Sequence, residues 1–292
     1  MSILDDILSA KRSRVAELRR ERPWSVLEGE PLFAESRRSL ATSLRRADEP
    51  IRFLCEIKRA SPSAGPIREE AEAVEVARAY AGAGASGISL VTEEAFFRGR
   101  PGDLPRVRPV GLPVLMKDFM IDPFQVTLAR SLGADAILLI AAVRDRPLLQ
   151  EIRAAARELG LEVLVEVHEE AELDLALGLE TELVGVNNRD LRSFAVDLGV
   201  SEALFPLLPP ASTRLAESGI RSREDVLRLE RCGFDGLLVG ESLMRAPDPG
   251  TALRELRGEE NGPGGPRRPG GPSGPGGQRR PGAENGESGG PR

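Results

Sequence analysis

Eight short apolar runs recur along the chain, and nearly all of them end in a polar or ionisable residue. They are IRFLCEIK from Ile51, GISLVTEE from Gly87, PVLMKD from Pro113, DAILLIA from Asp135, LEVLVEVH from Leu161, ELVGVNNRD from Glu182, TRLAESG from Thr213 and DGLLVG from Asp235. Runs rich in valine, isoleucine and leucine that are apolar on both faces predict parallel strands buried between helices. Because helical segments separate them, the pattern predicts an α/β fold, a single (β/α)8 barrel.

The segments between the runs carry helix boundaries. DPFQVTLARSLG has Asp122 as its N-cap and ends at Gly133, and a later helix begins at the capping Ser222. GAGASG at 82–87 matches a dinucleotide-binding pattern, but that motif needs a strand before it and a helix after it. Here the order is reversed, so we expect neither a nicotinamide nor a flavin cofactor.

Two further segments flank the barrel of residues 51–257. Residues 1–50 are predicted to form a helical extension, with an amphipathic helix at 2–20 and a second helix at 33–46, which closes the barrel bottom or folds over its mouth. Residues 258–292 are rich in glycine, proline and arginine and contain no aromatic or β-branched residue. Such a segment cannot offset its ordering entropy, so we predict a disordered, solubilising tail; contact of its arginines with an anionic surface is the alternative.

Charge and cysteine usage narrow the class of protein. The net charge of −6 argues against nucleic acid as a partner, because phosphate binding needs a basic face. The two cysteines have no metal-binding spacing, which favours buried free thiols in a reducing compartment. With no secretory signal and no apolar stretch that could span a membrane, we expect a cytoplasmic protein.

Ionisable residues follow the first, third, fifth and seventh runs. They are Glu56, Lys58, Lys117, Glu166 and Glu217. Alternate strands of a barrel fill common layers, so these side chains are expected to converge at the C-terminal mouth, where barrel enzymes carry out chemistry. Burial lowers a lysine pKa and carboxylates raise it, so we expect an intermediate pKa suited to proton transfer. A structural ion-pair network is the alternative.

A phosphate site is predicted after the seventh and eighth runs. ESGI at 217–220 and VGES at 239–242 deliver Gly219, Gly240 and Ser242 into loops, and Lys58 adds its charge. Glycine lets backbone N–H groups approach an anion closely, and these loops are the usual phosphate site of the fold. Tight turns and helix caps are the alternative explanation.

The sixth run ends in NNRD at 187–190. Asn187 offers an amide for orientation and Arg189 a planar guanidinium suited to a carboxylate, whereas Asp190 is expected to cap or pair locally.

Aromatic residues follow the second and third runs. Phe96, Phe97 and Phe119 at these loop positions indicate an aromatic ligand, with core or lid packing as the alternative. The single histidine, His168, is expected to be a surface or capping residue, and we predict no metal because zinc sites need several ligands.

Seven segments in order resemble the indole-3-glycerol-phosphate synthase family. They are EIKRASPSAG (56–65), TEEAFFRG (92–99), PVLMKDFMID (113–122), LVEVH (164–168), GVNNRDL (185–191), AESGI (216–220) and VGESLM (239–244). The resemblance implies ring closure, decarboxylation and dehydration of 1-(2-carboxyphenylamino)-1-deoxyribulose 5-phosphate in tryptophan biosynthesis, without a cofactor. The products are indole-3-glycerol phosphate, CO₂ and water.

The resemblance also implies roles for individual residues. Lys117 protonates the ketone as general acid, and Glu166 assists at the hydroxyl that leaves as water. Lys58 holds the carboxylate or phosphate or acts as a second acid, beside Glu56. The remaining residues would position or bind the substrate: Asn187, Glu217, Arg189, Ser218 and Ser61, with Phe96 and Phe119 on its ring.

Two alternatives stay open on the residues alone. A sugar-phosphate isomerase, such as phosphoribosylanthranilate isomerase, would share the phosphate loops, but it needs only one acid and one base. A non-catalytic barrel that binds a phosphorylated ligand would not need all four of Glu56, Lys58, Lys117 and Glu166. We expect a monomer that acts on a phosphorylated small molecule, with association to another enzyme of the pathway left open.

The tail is predicted to be dispensable. Deletion of the residues after Arg257 should leave turnover unchanged, because the segment contains nothing that could join a packed core. Steady-state kinetics of the truncated and full-length chains test this, and a marked loss of turnover on truncation would contradict it.

Overall fold

The structure is a computed structural model, described for residues 3–47 and 49–259. The predicted disorder of residues 258–292 concerns a segment outside these residues, apart from Gly258 and Glu259, which follow the last helix. In the described ranges no helix has the length and apolar content needed to cross a bilayer.

Parallel strands close into a barrel in chain order. The barrel strands are β1 (Arg52–Ile57), β2 (Gly87–Val91), β3 (Val114–Lys117), β4 (Ala136–Ile140), β5 (Glu162–Val167), β6 (Leu183–Asn187), β7 (Thr213–Glu217) and β8 (Gly236–Val239). Each strand falls within one of the eight apolar runs. Closure is made between β8 and β1, where Arg52 pairs with Gly236. The predicted (β/α)8 fold is therefore confirmed.

Helices precede the barrel and connect its strands. Those in the described residues are α1 (Ile3–Glu21), α2 (Trp24–Glu28), α3 (Leu40–Leu44), α4 (Ala73–Gly82), α5 (Leu104–Val107), α6 (Phe124–Leu132), α7 (Arg146–Glu158), α8 (Leu173–Leu177), α9 (Gly199–Leu204), α10 (Arg223–Cys232), α11 (Glu241–Arg245) and α12 (Pro249–Arg257). Ser222 forms the predicted cap, a reciprocal capping box with Asp225. The helix α6 begins one residue later than predicted, with Pro123 at the N-cap position, and Asp122 accepts the N–H of Phe124 from just before it.

The second helix predicted in the N-terminal extension is mostly wrong. Only Leu40–Leu44 is helical within residues 33–46, with Ser39 as its N-cap. Carbonyl groups of the preceding segment accept hydrogen bonds from arginine side chains of the barrel instead of from backbone N–H groups of a helix. Arg130 of α6 donates to the carbonyls of Phe33 and Glu35, at 2.7 Å and 2.9 Å. An isolated helix of about 14 residues is marginal in water, so it does not outweigh such tertiary bonds.

The N-terminal extension covers both ends of the barrel. Leu40 and Leu44 of α3 are fully buried and pack inside the bottom of the barrel against Leu54, Leu115 and Leu215. At the opposite end, Ile3, Leu4 and Ile7 of α1 line the cavity formed by the C-terminal ends of the strands. The two predicted placements of the extension are therefore both present, since α3 closes the bottom of the barrel and α1 covers its mouth.

The α3 plug is expected to contribute strongly to stability. Leu40→Ala should lower the free energy of unfolding by about 2–5 kcal/mol, because it leaves a cavity at a fully buried position. Leu207→Ala is the matched control; its side chain is 45% exposed, and its cost should stay within about 0.5 kcal/mol. Denaturant unfolding measures both, and equal losses would show that α3 does not support the barrel.

Candidate active site

A cavity of about 530 Å³ opens at the C-terminal ends of the strands. It is lined by nearly all of the predicted site residues: Glu56, Lys58, Ser61, Lys117, Phe119, Glu166, Asn187, Arg189, Glu217, Ser218, Gly219, Gly240 and Ser242. The predicted convergence of strands β1, β3, β5 and β7 at one mouth is therefore present in the structure.

Lys117, the last residue of β3, lies at the centre of this cavity. Its Nζ donates to Oε2 of Glu166 at 2.7 Å and to Oε2 of Glu217 at 3.1 Å. The two glutamate side chains are only 4% and 1% exposed. Oε1 of Glu217 is also buried and makes no hydrogen bond within the described residues. Met116, the neighbour of Lys117, packs outside the barrel in the core against the helices, as expected from strand alternation.

The carboxylates decide the charge of Lys117. Burial opposes a charged amine, but Glu166, Glu217 and Glu56 outweigh it and raise the pKa of Lys117 above its ordinary value. The expectation of an intermediate pKa for this lysine is therefore wrong, because three acidic groups face one ammonium.

The pKa values of the two carboxyl groups around Lys117 are shifted in opposite directions. Burial opposes ionisation of Glu166, but Lys117 and His168 hold its pKa well below the ordinary value. Burial and the charge of Glu166 raise the pKa of Glu217 to about 8, against the opposing effect of Lys117. One carboxyl is thus held ionised while the other retains its proton near neutral pH, a pairing typical of acid–base sites.

A second ion pair lies at the end of β1. Nζ of Lys58 is 2.6 Å from Oε1 of Glu56. Gly240 is packed directly against this pair, since a Cβ atom at that position would lie 2.5 Å from Oε1 of Glu56. The close approach requires glycine, and it places the Lys58–Glu56 pair beside the loop that follows β8.

The two predicted phosphate loops lie side by side at the cavity wall. Ser218 and Gly219 have φ angles of +66° and +84°, a left-handed turn that glycine favours. Ser242 donates its hydroxyl to the carbonyl of Ile220, which ties the loop after β8 to the loop after β7. Arg221 and Arg245 also line the cavity here; the sequence analysis did not single them out.

The loop after β6 holds the polar residues of the NNRD segment. Oδ1 of Asn187 accepts the N–H of Arg189, whose guanidinium reaches the carbonyl of Phe194 at 3.3 Å and a carboxylate oxygen of Glu241 at 3.5 Å. Asp190 accepts from the backbone and hydroxyl of Ser193, and so pairs locally as predicted.

Phe97, rather than Phe96, belongs to the cavity. The rings of Phe97 and Phe119 are 6.1 Å apart and both line it, whereas Phe96 does not. The carboxylate of Glu93 accepts the N–H groups of Ala95, Phe96 and Phe97, which sets the turn after β2 and brings the second phenylalanine to the mouth. Sequence spacing could not identify which of two adjacent phenylalanines faces inward.

The expectation that His168 is a surface or capping residue is wrong. Its side chain is only 8% exposed, and its Nε2 lies 3.2 Å from Oε1 of Glu166, at ion-pair distance but without hydrogen-bond alignment. Burial favours the neutral ring, but Glu166 and Glu172 outweigh it and raise the pKa of His168 to about 10. The helical start that suggested a cap instead folds the ring back behind the site.

Lys11 of α1 is a further buried charge that the sequence analysis missed. Its Nζ lies 2.7 Å from Asp118 and 3.9 Å from Glu93, and its side chain is 6% exposed. These two carboxylates flank the loops that carry Phe119 and Phe97. The signal was present in the sequence, because Lys11 stands four residues from Ile7 and from Val15 on the apolar stripe of α1.

The described residues contain two free cysteines and no group of three or more His, Cys, Asp or Glu side chains placed to hold a metal ion. Cys55 is fully buried as expected, whereas Cys232 is partly exposed. The cavity itself offers ammonium, guanidinium and carboxyl groups, whose chemistry is proton transfer and the binding of anions.

Comparison with known proteins places the chain in a family. The sequence profile described as indole-3-glycerol phosphate synthase matches residues 4–256. The relative from Salinibacter ruber with the same name is 44% identical over 262 residues, covering 89% of this chain and 96% of the relative. Indole-3-glycerol phosphate synthase 2 of Ralstonia nicotianae is 43% identical over 259 residues, covering 88% and 97%.

Solved structures of low identity share the fold. A 3-hexulose-6-phosphate synthase from Salmonella typhimurium has a TM-score of 0.59 at 17% identity, over 71% of this chain and 97% of that chain. The Pyrococcus furiosus tryptophan synthase a2b2 complex contains a chain with a TM-score of 0.54 at 14% identity, over 71% and 97%. At these identities the similarity shows the barrel alone.

Fold and family together define a (β/α)8-barrel lyase that acts on a phosphorylated small molecule. The chain belongs to the indole-3-glycerol phosphate synthase family. The family and the carboxy-lyase class predicted from the seven motifs are confirmed, and the isomerase and non-catalytic alternatives find no support among these relatives.

The Lys11 ion pair is expected to hold α1 on the barrel. Lys11→Met should lower the free energy of unfolding by roughly 3–5 kcal/mol, because it leaves Asp118 buried without its cation. Arg12→Met, at an exposed neighbouring position, is the matched control. The double variant Lys11→Met, Asp118→Asn should recover part of the loss in denaturant unfolding. Equal stabilities of the Lys11 and Arg12 variants would contradict this role.

Proposed function

We propose that the chain closes the indole ring of 1-(2-carboxyphenylamino)-1-deoxyribulose 5-phosphate at this cavity, with Lys117 as the general acid. The observation that carries the proposal is the position of Lys117. Its ammonium lies between an ionised and a protonatable carboxyl group, in a cavity with phenylalanine rings and two glycine-containing loops on its walls. The substrate contains a matching phosphate, aromatic ring, carboxylate and ketone.

The first step is carbon–carbon bond formation. The ring carbon that bears the carboxylate attacks the ketone carbon, the carbonyl π electrons move to oxygen, and Lys117 transfers a proton to that oxygen. An amine whose pKa is raised can still donate here, because the alkoxide that forms is about as basic as hydroxide and takes the proton. Loss of CO₂ then returns an electron pair to the ring and restores its aromaticity.

The second step is dehydration. The new hydroxyl leaves as water after it receives a proton, and the nitrogen lone pair assists its departure. Loss of a proton from the carbon next to nitrogen, which was the methylene group of the substrate, then completes the double bond. This step needs one acid and one base on the same face of the substrate. Glu217, which retains a proton near neutral pH because its pKa is about 8, gives that proton to the leaving hydroxyl, and Glu166, held ionised beside it, accepts the proton lost from carbon.

Binding is assigned to the cavity walls. Gly219, Gly240 and Ser242 receive the phosphate, with Lys58 beside them. Phe97 and Phe119 pack on the anthranilate ring, which replaces the sequence prediction for Phe96. Asn187, Arg189, Ser218 and Ser61 line the rest of the cavity and position the substrate, and Glu56 fixes Lys58.

A monomer is proposed as the active unit, because the cavity of a single chain supplies a residue for each group of the substrate. The location in the cytoplasm, the absence of nucleic-acid binding and association with another enzyme of the pathway stay predictions, the second supported by the net charge of −6.

Two substitutions separate the proton of Lys117 from its charge. Lys117→Met should reduce turnover by at least about 10²–10⁴-fold while the fold is retained, because the acid is lost. Lys117→Arg keeps a cation beside Glu166 and Glu217, but a guanidinium does not give up its proton, so turnover should stay low. Fluorescence of indole-3-glycerol phosphate, with EDTA present, measures both rates. Near-normal turnover of either variant would remove Lys117 from its role as the acid.

A further inference from the structure

A chain of charged side chains runs from the centre of the cavity into the protein. Lys117 contacts Oε2 of Glu166 at 2.7 Å, and Oε1 of the same carboxylate lies 3.2 Å from Nε2 of His168. Nδ1 of His168 in turn lies 3.4 Å from Oε2 of Glu172. His168 and Glu172 do not line the cavity, so they sit behind the reacting groups.

The geometry favours a positive charge on His168. A neutral imidazole has one N–H and one lone pair, so with a carboxylate oxygen at each ring nitrogen one contact would be repulsive. The imidazolium has an N–H group at each ring nitrogen, so its positive charge attracts both carboxylates. The side chains of Glu166, His168 and Glu172 are 4%, 8% and 5% exposed, so water does not screen these contacts.

Glu172 holds the ring from the far side. Its Oε2 also accepts the backbone N–H of His168 at 2.7 Å, so one carboxylate oxygen contacts both the main chain and the ring of the same residue. The groups that act on the ring charge are Glu166 on β5 and Glu172 in the turn that follows; Lys117 on β3 lies on the opposite side of Glu166.

Glu166 is thereby held at both oxygens. A carboxylate contacted by Lys117 alone could rotate about its last side-chain bond and exchange its two oxygens. With a second cation on Oε1, Oε2 is kept on Lys117, and protonation of Glu166 is opposed from two sides.

We propose that His168, as an imidazolium between Glu166 and Glu172, is a positioning residue that fixes the orientation of Glu166 and keeps it ionised for catalysis. The proposal rests on the proposed function of Glu166. It gives the single histidine of the chain a part in the reaction without contact to the substrate.

The charge of the ring can be measured without turnover. His168 is the only histidine, so the ring-proton NMR signals of protein purified without a histidine tag belong to it alone. The signals of the wild type should stay at their protonated positions well above the ordinary pKa of about 6.5. In Glu172→Gln the midpoint should fall towards that value, whereas Glu170→Gln, at an exposed site in the same turn, should leave it unchanged. A wild-type midpoint at or below about 6.5 would overturn the proposal.

The catalytic part is tested with His168→Gln, which retains polar groups but not the charge. We expect kcat at pH 7 to fall roughly 10- to 100-fold, as for a reacting group displaced by about 1 Å. KM should change by less than about threefold, because no substrate contact is lost. The acid limb of the pH profile of kcat should move to higher pH by about one unit or more, because loss of one of the two cations beside Glu166 raises the pKa of that carboxyl group.

The outcomes separate the two proposals. An unchanged kcat and pH profile in folded His168→Gln would overturn the positioning role even if the NMR titration shows a charged ring. A charged ring in a wild-type protein that closes no indole ring would overturn the proposed function of Glu166 instead, and the positioning role with it.

Discussion

The ammonium of Lys117, largely removed from water at the end of β3, is the constraint on which the site depends. A buried charge without a counter-charge costs several kcal/mol, so the barrel must place carboxylates against it. These acids are Glu166 on β5 and Glu217 on β7. Because they are buried as well, each of them needs a cation nearby when it is ionised. His168 is a second cation beside Glu166, whereas Glu217 retains its proton and therefore needs no further cation. Each group therefore sets the protonation state of the next.

The N-terminal extension applies the same physical rule at the edge of the cavity. Its apolar residues cover the mouth, while the buried Lys11 contacts Asp118, the residue directly after Lys117. Because Asp118 also accepts the hydroxyl of Thr92 and the N–H of Phe119, one carboxylate joins α1 to the loops after β2 and β3. Substrate that enters the cavity thus meets walls whose positions are tied together by buried charges. The α3 plug combines apolar packing with hydrogen bonds to the barrel, since the N–H of Ala41 donates to Glu162 and the hydroxyl of Ser43 donates to the carbonyl of Ser86, both at 2.8 Å.

The sequence was sufficient for the barrel and for most of the cavity, because both depend on periodic patterns. Strands buried on both faces leave continuous apolar runs, and parallel strands bring the residues at their ends together, so Glu56, Lys117, Glu166 and Glu217 could be grouped in advance. What could not be predicted depends on distances between side chains. The raised pKa of Lys117 reflects how many carboxylates reach it, and the choice of Phe97 over Phe96 reflects one turn built on Glu93. The sequence suggests a helix cap at His168 because a helical segment follows it, although His168 stands two residues after Glu166, a spacing that places both side chains on one face of a strand.

The central claim is that the amine of Lys117, held between the carboxyl groups of Glu166 and Glu217, delivers the proton that drives ring closure. Chemical rescue tests it most directly. The Lys117→Cys variant should not turn over, and treatment with 2-bromoethylamine, which converts the thiol into an isostere of lysine, should restore ring closure. The wild type treated in the same way controls for modification of the partly exposed Cys232. Restored formation of indole-3-glycerol phosphate is the result predicted here. Turnover of untreated Lys117→Cys at a rate near that of the wild type would contradict the claim.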